Sequence, residues 1–302
     1  MVLESLITVE NAEKKPWRMF FLGIVYSSVA ILFFLWVFRN ESSMIMITLT
    51  VFASFPLIYN TFKKEEEGEK EILEAVEIDA KISRLAKNKT RGLKIEKLIM
   101  QEHSKVLYLF LFLFLGFVFS FSIWYIALPK EVVTDVFYDQ ISTINDINSN
   151  VVGSAIRQDP LVQTFLNNLR VLLFSVLFSF AYGAGAIFIL TWNASIIAAA
   201  IGNFVRYNLS NFAASSGLVT VGNYFQIISI GLIRYLPHSI FEVLAYFIGA
   251  LAGGIISVAV INHDFYRKAF KSIIFDSLNL LGLSVLLLLI AAIMEVFLVN
   301  LF

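Results

Sequence analysis

No cysteine occurs among the 302 residues, which excludes disulfides, thiolate metal sites and a cysteine nucleophile. Histidine is almost as scarce, with three residues, His103, His238 and His263. None stands in an HExxH pair, so a zinc protease of that kind is unsupported. There is no GxSxG and no phosphate-cradling glycine loop, and serine hydrolysis and nucleotide hydrolysis lack their usual scaffolds. Charge is sparse and balanced, 23 basic against 23 acidic residues, which gives no reason to expect a nucleic-acid partner. These absences together point to a protein that is not an enzyme and carries no cofactor or metal.

What the chain has instead is apolar bulk. Hydrophobic residues make up 58% of it, 30 of them phenylalanine, and the mean hydropathy is +0.78. A soluble domain is about 45–50% apolar. The composition therefore predicts an all-α, polytopic transmembrane bundle. A helix needs about 20 apolar residues to cross a bilayer core. Runs at 19–38, 44–62, 106–128, 166–190, 239–261 and 273–299 qualify, the first as a retained helix with no signal cleavage site after it. The run "WNASIIAAAIGNFV" reads as a short or broken helix near 192–208 and, counted as a crossing, brings the spans to about seven. Segment 223–235 is too short to cross and reads as interfacial or re-entrant. Pro237 would then open the sixth span, since a proline costs little in a first turn.

Three parts follow. Residues 1–62 form a transmembrane hairpin. Residues 63–105 form a charged helical arm, with Ile72, Val76 and Ile82 at helical spacing. The arm is either a solvated connector or a docking surface for a protein partner. Residues 106–302 form the main membrane domain, with a polar loop at 129–163 that offers a second surface for partners. The arm holds eleven Lys and Arg, the loop two beside five acids. Basic residues stay cytoplasmic, so the arm and the N-terminus are expected inside the plasma membrane, the loop and the C-terminus outside.

A few polar residues interrupt the apolar runs. In "LPHSIFEVLAYFIGALAGG", His238 and Glu242 lie one turn apart, on the helix face that also carries Ala245, Gly249 and Gly253. Each such polar group costs about 3 kcal/mol at mid-bilayer, so it has a partner or a task there. Glu295 is a second acid within a span, and Asn167, Asn168 and Arg170 stand near the start of the fourth. Arg170 is the natural partner for a carboxylate. Two readings stand for this cluster: hydrogen-bonding glue between helices, or an ion, proton or lipid-headgroup site. Gly183 and Gly185 in "AYGAGA", and the Gly249/Gly253 pair, suit close helix packing within a chain or between copies in a homo-oligomer.

Three stretches, "NNLRVLLFSVLFSFAYGAGAIFILTWNASIIAAAIG", "LPHSIFEVLAYFIGALAGG" and "LLLLIAAIMEVFL", resemble the stage II sporulation protein M family over about residues 106–302. The resemblance rests on an NN-bearing span with a mid-helix glycine, a PHG-x-x-E block and a late A-x-x-E. Here these are Asn167, Asn168, Gly183, Pro237, His238, Glu242 and Glu295, with Ser239 in place of the usual glycine. It implies a membrane anchor and scaffold that organises an envelope complex. The alternative, from a different class, is a transporter, channel or lipid-moving protein whose pathway runs past His238, Glu242 and Glu295. Membrane lipids are partners in either case.

Because the native chain lacks cysteine, topology can be read from single-cysteine labelling. An impermeant external reagent is expected to label a cysteine at Ser149 and at Asn300, but not at Asn88. Labelling at Asn88 inverts the topology; labelling at Ser149 without Asn300 removes one crossing.

Overall fold

In a computed structural model, residues 15–39, 41–61, 89–153, 160–182, 186–216, 220–261 and 268–301 are described. They are almost wholly helical and contain no strand. Helix α1 runs Arg18–Phe33 and continues as a π turn over Phe34–Phe38, and α2 is Met44–Thr61. Then come α3 (Lys89–Ala127), α4 (Lys130–Val136), α5 (Tyr138–Gly153) and α6 (Pro160–Tyr182). The chain closes with α7 (Ala186–Ser216), α8 (Val221–Ile261) and α9 (Lys268–Leu301). Seven of these are long and apolar enough to cross a membrane. Backbone amides inside a bilayer have no water to bond, so a chain this apolar is driven into helices that satisfy their own backbone.

Helix α3 is the hub of one half, touching α1, α7 and α8; α8 is the hub of the other, touching α6, α7, α9 and α3. The core between the hubs is aromatic. Phe110, Phe114, Phe117 and Phe121 of α3 are buried at helical spacing, and Phe110 stacks on Phe247 of α8 at 4.9 Å. Helix α1 reaches α3 through paired glycines. A methyl group on Gly23 would lie 2.5 Å from the Leu113 carbonyl oxygen, and one on Gly116 would strike the Phe20 carbonyl. Above this contact Ser28 and Ser120 hydroxyls share a 3.0 Å bond, and Trp124 Nε1 donates to Ser28. The first helix is thus packed backbone-to-backbone on the main membrane domain.

The segment expected as a polar loop at 129–163 is mostly helical where it is described, apart from Pro129 and the turn at Phe137. Helix α4 folds back beside the end of α3, so that buried Phe137 meets Phe121 edge-on and Tyr125 at 5.1 Å. Asp139 then caps α2: its Oδ2 accepts from the Met44 amide at 3.2 Å and from the Ser43 hydroxyl at 2.6 Å. An acceptor carboxylate at a helix N-terminus is favoured by the free amides and by the helix dipole. Gln140, fully buried, links Ser43 to Ser195 of α7. Arg39 pairs with Asp135 at 3.1 Å. Arg39, Ser43 and the 129–140 segment therefore lie at the same end of the bundle, as alternating crossings require.

Three expectations change. The helix anticipated as short or broken near 192–208 is the middle of the unbroken α7. Its polar residues satisfy themselves: Thr191, Asn193 and Asn208 each donate to the carbonyl four residues back, at 2.7–2.8 Å. Segment 223–235 is no separate re-entrant helix, and Pro237 does not open a span. Both lie inside the 41-residue α8. The proline removes one backbone donor, for the Ile233 carbonyl, and packing on both sides holds the helix together. The fourth span, placed at 166–190, falls across two described helices, α6 to Tyr182 and α7 from Ala186. Gly183 and Gly185, and residues 63–88 of the arm, lie outside the described residues. The remainder of the arm, from Lys89, is continuous with the third span in α3.

The Gly249/Gly253 face is used within the chain. A methyl group on Gly253 would lie 2.6 Å from the Val176 carbonyl oxygen of α6, and one on Gly249 would strike the end of the Leu172 side chain. Overpacking of this kind costs about 1–3 kcal/mol when nothing can yield. Gly253→Ala, facing backbone, is expected to lower the unfolding temperature in detergent by several degrees. Gly249→Ala, facing a side chain that can rotate, is expected to cost less. Equal, negligible effects would contradict the close approach of α6 and α8.

Candidate functional site

The α6–α8 seam is a ladder. At its lower end Ser257 donates to the Phe180 carbonyl at 2.7 Å; next come the contacts of Gly253 with Val176 and of Gly249 with Leu172. At its upper end the Asn168 amide donates to Glu242 Oε1 at 2.6 Å. Asn168 and Glu242 are 6% and 9% exposed. His238, one turn earlier on α8, is 5% exposed, and its buried Nδ1 makes no hydrogen bond of good geometry.

The third group comes from α9. Ser277, Ser284, Leu288, Ala291 and Ala292 form the buried stripe of that helix. Glu295 continues it, being two turns beyond Leu288. Small residues on this stripe let α9 lie close on α8. As a result one ligand-type atom each from His238, Glu242 and Glu295 lies within 4.8 Å of the other two. Glu295 is about 9 Å along the helix from Leu301, and Asn168 about 12 Å from Pro160, at 1.5 Å per residue. The cluster therefore lies toward the end of the bundle that also holds α4 and α5.

Arg170 does not supply the expected counter-charge. It is exposed, as is Asn167. Buried Asn168, Leu172, Ser175 and Ser179 define the inward face of α6, and a residue two positions from Asn168 lies about 200° around the helix from it. Arg234, one turn before His238, lies over the rings of Phe204 at 5.5 Å and Tyr235 at 5.7 Å. Among the described residues no lysine or arginine is within ion-pair distance of Glu242 or Glu295; Arg39 and Asp135 do form such a pair.

Two ionised carboxylates no more than 4.8 Å apart would repel by about 3.5 kcal/mol or more at an effective dielectric constant near 20. The arrangement is suited to hold a proton or a metal ion between the two acids, with the imidazole beside it. Tyr246, fully buried one turn after Glu242, lies in the field of both carboxylates, and Tyr235 in that of Glu295. Neither tyrosine stood out in the sequence, although Tyr246 shares the His238–Glu242 face at helical spacing. Arg206 was also missed. Its guanidinium bonds the Leu128 carbonyl at the end of α3 and lies 5.9 Å from the Tyr125 ring, against which Gly202 also packs.

A family model for stage II sporulation protein M matches residues 106–300. The chain belongs to that family. No curated protein and no solved structure matches it. The matched span begins inside α3 and contains every residue of the cluster, so the site belongs to the stage II sporulation protein M domain. Helices α1 and α2 lie outside the match, although α1 is packed on α3.

If the acids face each other without a bundle cation, Glu295→Gln removes repulsion. With chelator present, its unfolding temperature in detergent is expected to equal or exceed that of the unaltered protein. Asn168→Ala strips a buried acceptor of its donor and is expected to cost about 1–3 kcal/mol. A loss for Glu295→Gln as large as for Asn168→Ala would mean that the bundle supplies a positive partner.

Proposed function

We propose that this protein is a non-enzymatic, multi-pass protein of a prokaryotic plasma membrane that takes up a cation within its bundle. Its cluster of Asn168, His238, Glu242 and Glu295 is the binding point on a transport pathway. The observation that carries this reading is the convergence of two carboxylates and an imidazole from α8 and α9 with no lysine or arginine beside them among the described residues. Intramembrane acids are costly and mark ion or proton paths when they lack a fixed partner. The charge asymmetry of the sequence supports a cytoplasmic N-terminus, with α4, α5 and the C-terminus outside; the cluster then faces the outer half of the membrane.

A scaffold role is the second reading. It draws support from the mostly exposed, apolar outer faces of α6 and α9, where Leu173, Phe174, Leu177, Leu286 and Ile293 are bare. Such faces suit lipid or the transmembrane helices of a partner. Buried acids without a counter-charge have no task in a scaffold, and that favours the pathway.

The test is reconstitution into liposomes. An imposed proton or cation gradient is expected to drive flux that Glu242→Gln abolishes. Protein that is folded and oriented but passes no cation at rates above empty vesicles would leave the scaffold as the better reading.

A further inference from the structure

We propose that His238, Glu242 and Glu295 form a binding site for a divalent transition-metal ion of the Mn²⁺, Fe²⁺ or Zn²⁺ class. One imidazole nitrogen and one oxygen of each carboxylate are the ligands. The proposal rests on the cation-handling reading above and names its cation.

Charge is the first argument. Two carboxylates neutralise one dication, so the loaded site is uncharged overall, which is the form a bilayer interior tolerates at least cost. Geometry is the second. Three atoms no more than 4.8 Å apart have a common point within about 2.8 Å of each. Bonds from nitrogen and oxygen to such metals are about 2.0–2.2 Å, so torsions need to move each ligand atom by less than about 1 Å.

The imidazole supplies the third argument, independent of the acids. His238 is 95% buried, being 5% exposed, and its Nδ1 makes no hydrogen bond of good geometry, although the Arg234 carbonyl one turn back interacts with the ring. A buried polar atom with an unmade bond is a cost the fold carries for something. The imidazole also decides the class. Calcium and magnesium take oxygen ligands, whereas imidazole with carboxylate suits manganese, iron and zinc. Asn168 completes the arrangement as an orienting residue. Its amide holds one oxygen of Glu242 at 2.6 Å, and the other oxygen is left to bind. Outer partners of this kind are typical of metal-ligating carboxylates.

The experiment uses the full chain without a histidine tag, purified in detergent with chelator, dialysed, and titrated with MnCl₂ under continuous-wave and pulsed electron paramagnetic resonance. One Mn²⁺ per chain is expected, with nitrogen-14 modulation from a coordinated imidazole. Zn²⁺ is expected to displace it, and Ca²⁺ or Mg²⁺ at equal concentration to leave it in place. Glu242→Gln, Glu295→Gln and His238→Asn are each expected to weaken binding at least tenfold, and His238→Asn to remove the nitrogen signal. Asn168→Ala is expected to weaken it about tenfold.

The wild-type spectrum alone is decisive if a variant fails to fold. Absence of stoichiometric Mn²⁺, or bound Mn²⁺ without nitrogen modulation, overturns the assignment. So does binding that survives Glu242→Gln combined with Glu295→Gln, since the ion is then elsewhere. Liposome flux separates this failure from that of the reading it rests on. Glu242-dependent proton flux in a protein that binds no metal retains the pathway and removes the metal. Tight Mn²⁺ binding without flux retains the metal site and removes the pathway.

Discussion

The rest of the site depends on how closely α6 can approach α8. Gly249 and Gly253 give α8 a bare strip, and the Leu172–Val176 turn of α6 occupies it, with the Val176 carbonyl where a side chain of residue 253 would begin. That contact fixes distance and register together. With the rungs at Gly253 and Gly249 set, the next inward-facing residue up α6 is Asn168, and it arrives at Glu242. A larger residue at either glycine would separate the helices and leave the carboxylate without its amide. The same helix carries the Glu242–Glu295 encounter on another side, where the alanine and serine stripe of α9 lets that helix settle close.

What this packing assembles is a polar group that the bundle only partly satisfies. The amide of Asn168 serves one oxygen of Glu242. No basic side chain among the described residues serves the rest, while His238 brings a nitrogen with no hydrogen bond of good geometry. In an apolar medium such a group destabilises the fold unless something binds to it. Many polar residues elsewhere are bonded within the fold, although the buried hydroxyls of Ser122, Ser175 and Ser277 also lack a partner. Serines and threonines within α1, α2 and α7 bond the carbonyl four residues back, as Ser27, Thr50 and Thr191 do. Asp139 and Gln140 are tied to the ends of other helices. What distinguishes the cluster is the convergence of two carboxylates and an imidazole, not any single unpaired atom.

Much of this was legible in the sequence. Apolar run length gave the helical bundle and its seven crossings, and helical spacing placed His238 and Glu242 on the small-residue face that the structure buries. Glu295 joined them as a second acid within a span. Arg170 has the charge to partner a carboxylate but the wrong helical phase. Asn168, Leu172, Ser175 and Ser179 recur at steps of three and four, and that stripe already puts Arg170 on the outside. Pro237 and the short, small-residue run near 192–208 suggested helix ends, because proline and short apolar runs end helices in water. In a packed apolar bundle the missing or competing hydrogen bonds are few and the alternatives worse, so α7 and α8 run through them. The lengths of α3 and α8 followed from the same bias: a charged or polar stretch beside a span reads as a separate element, yet nothing in it stops a helix.

One measurement reaches the central claim, that two acids and an imidazole meet inside the bundle to hold a cation. It is an experimental structure in lipid, determined with Mn²⁺ present and with anomalous differences recorded at the manganese edge. The account predicts a single peak among His238, Glu242 and Glu295, with Asn168 bonded to Glu242 and Arg170 directed away. A map without that peak, in which Arg170 or Arg234 lies against the two carboxylates, would contradict it.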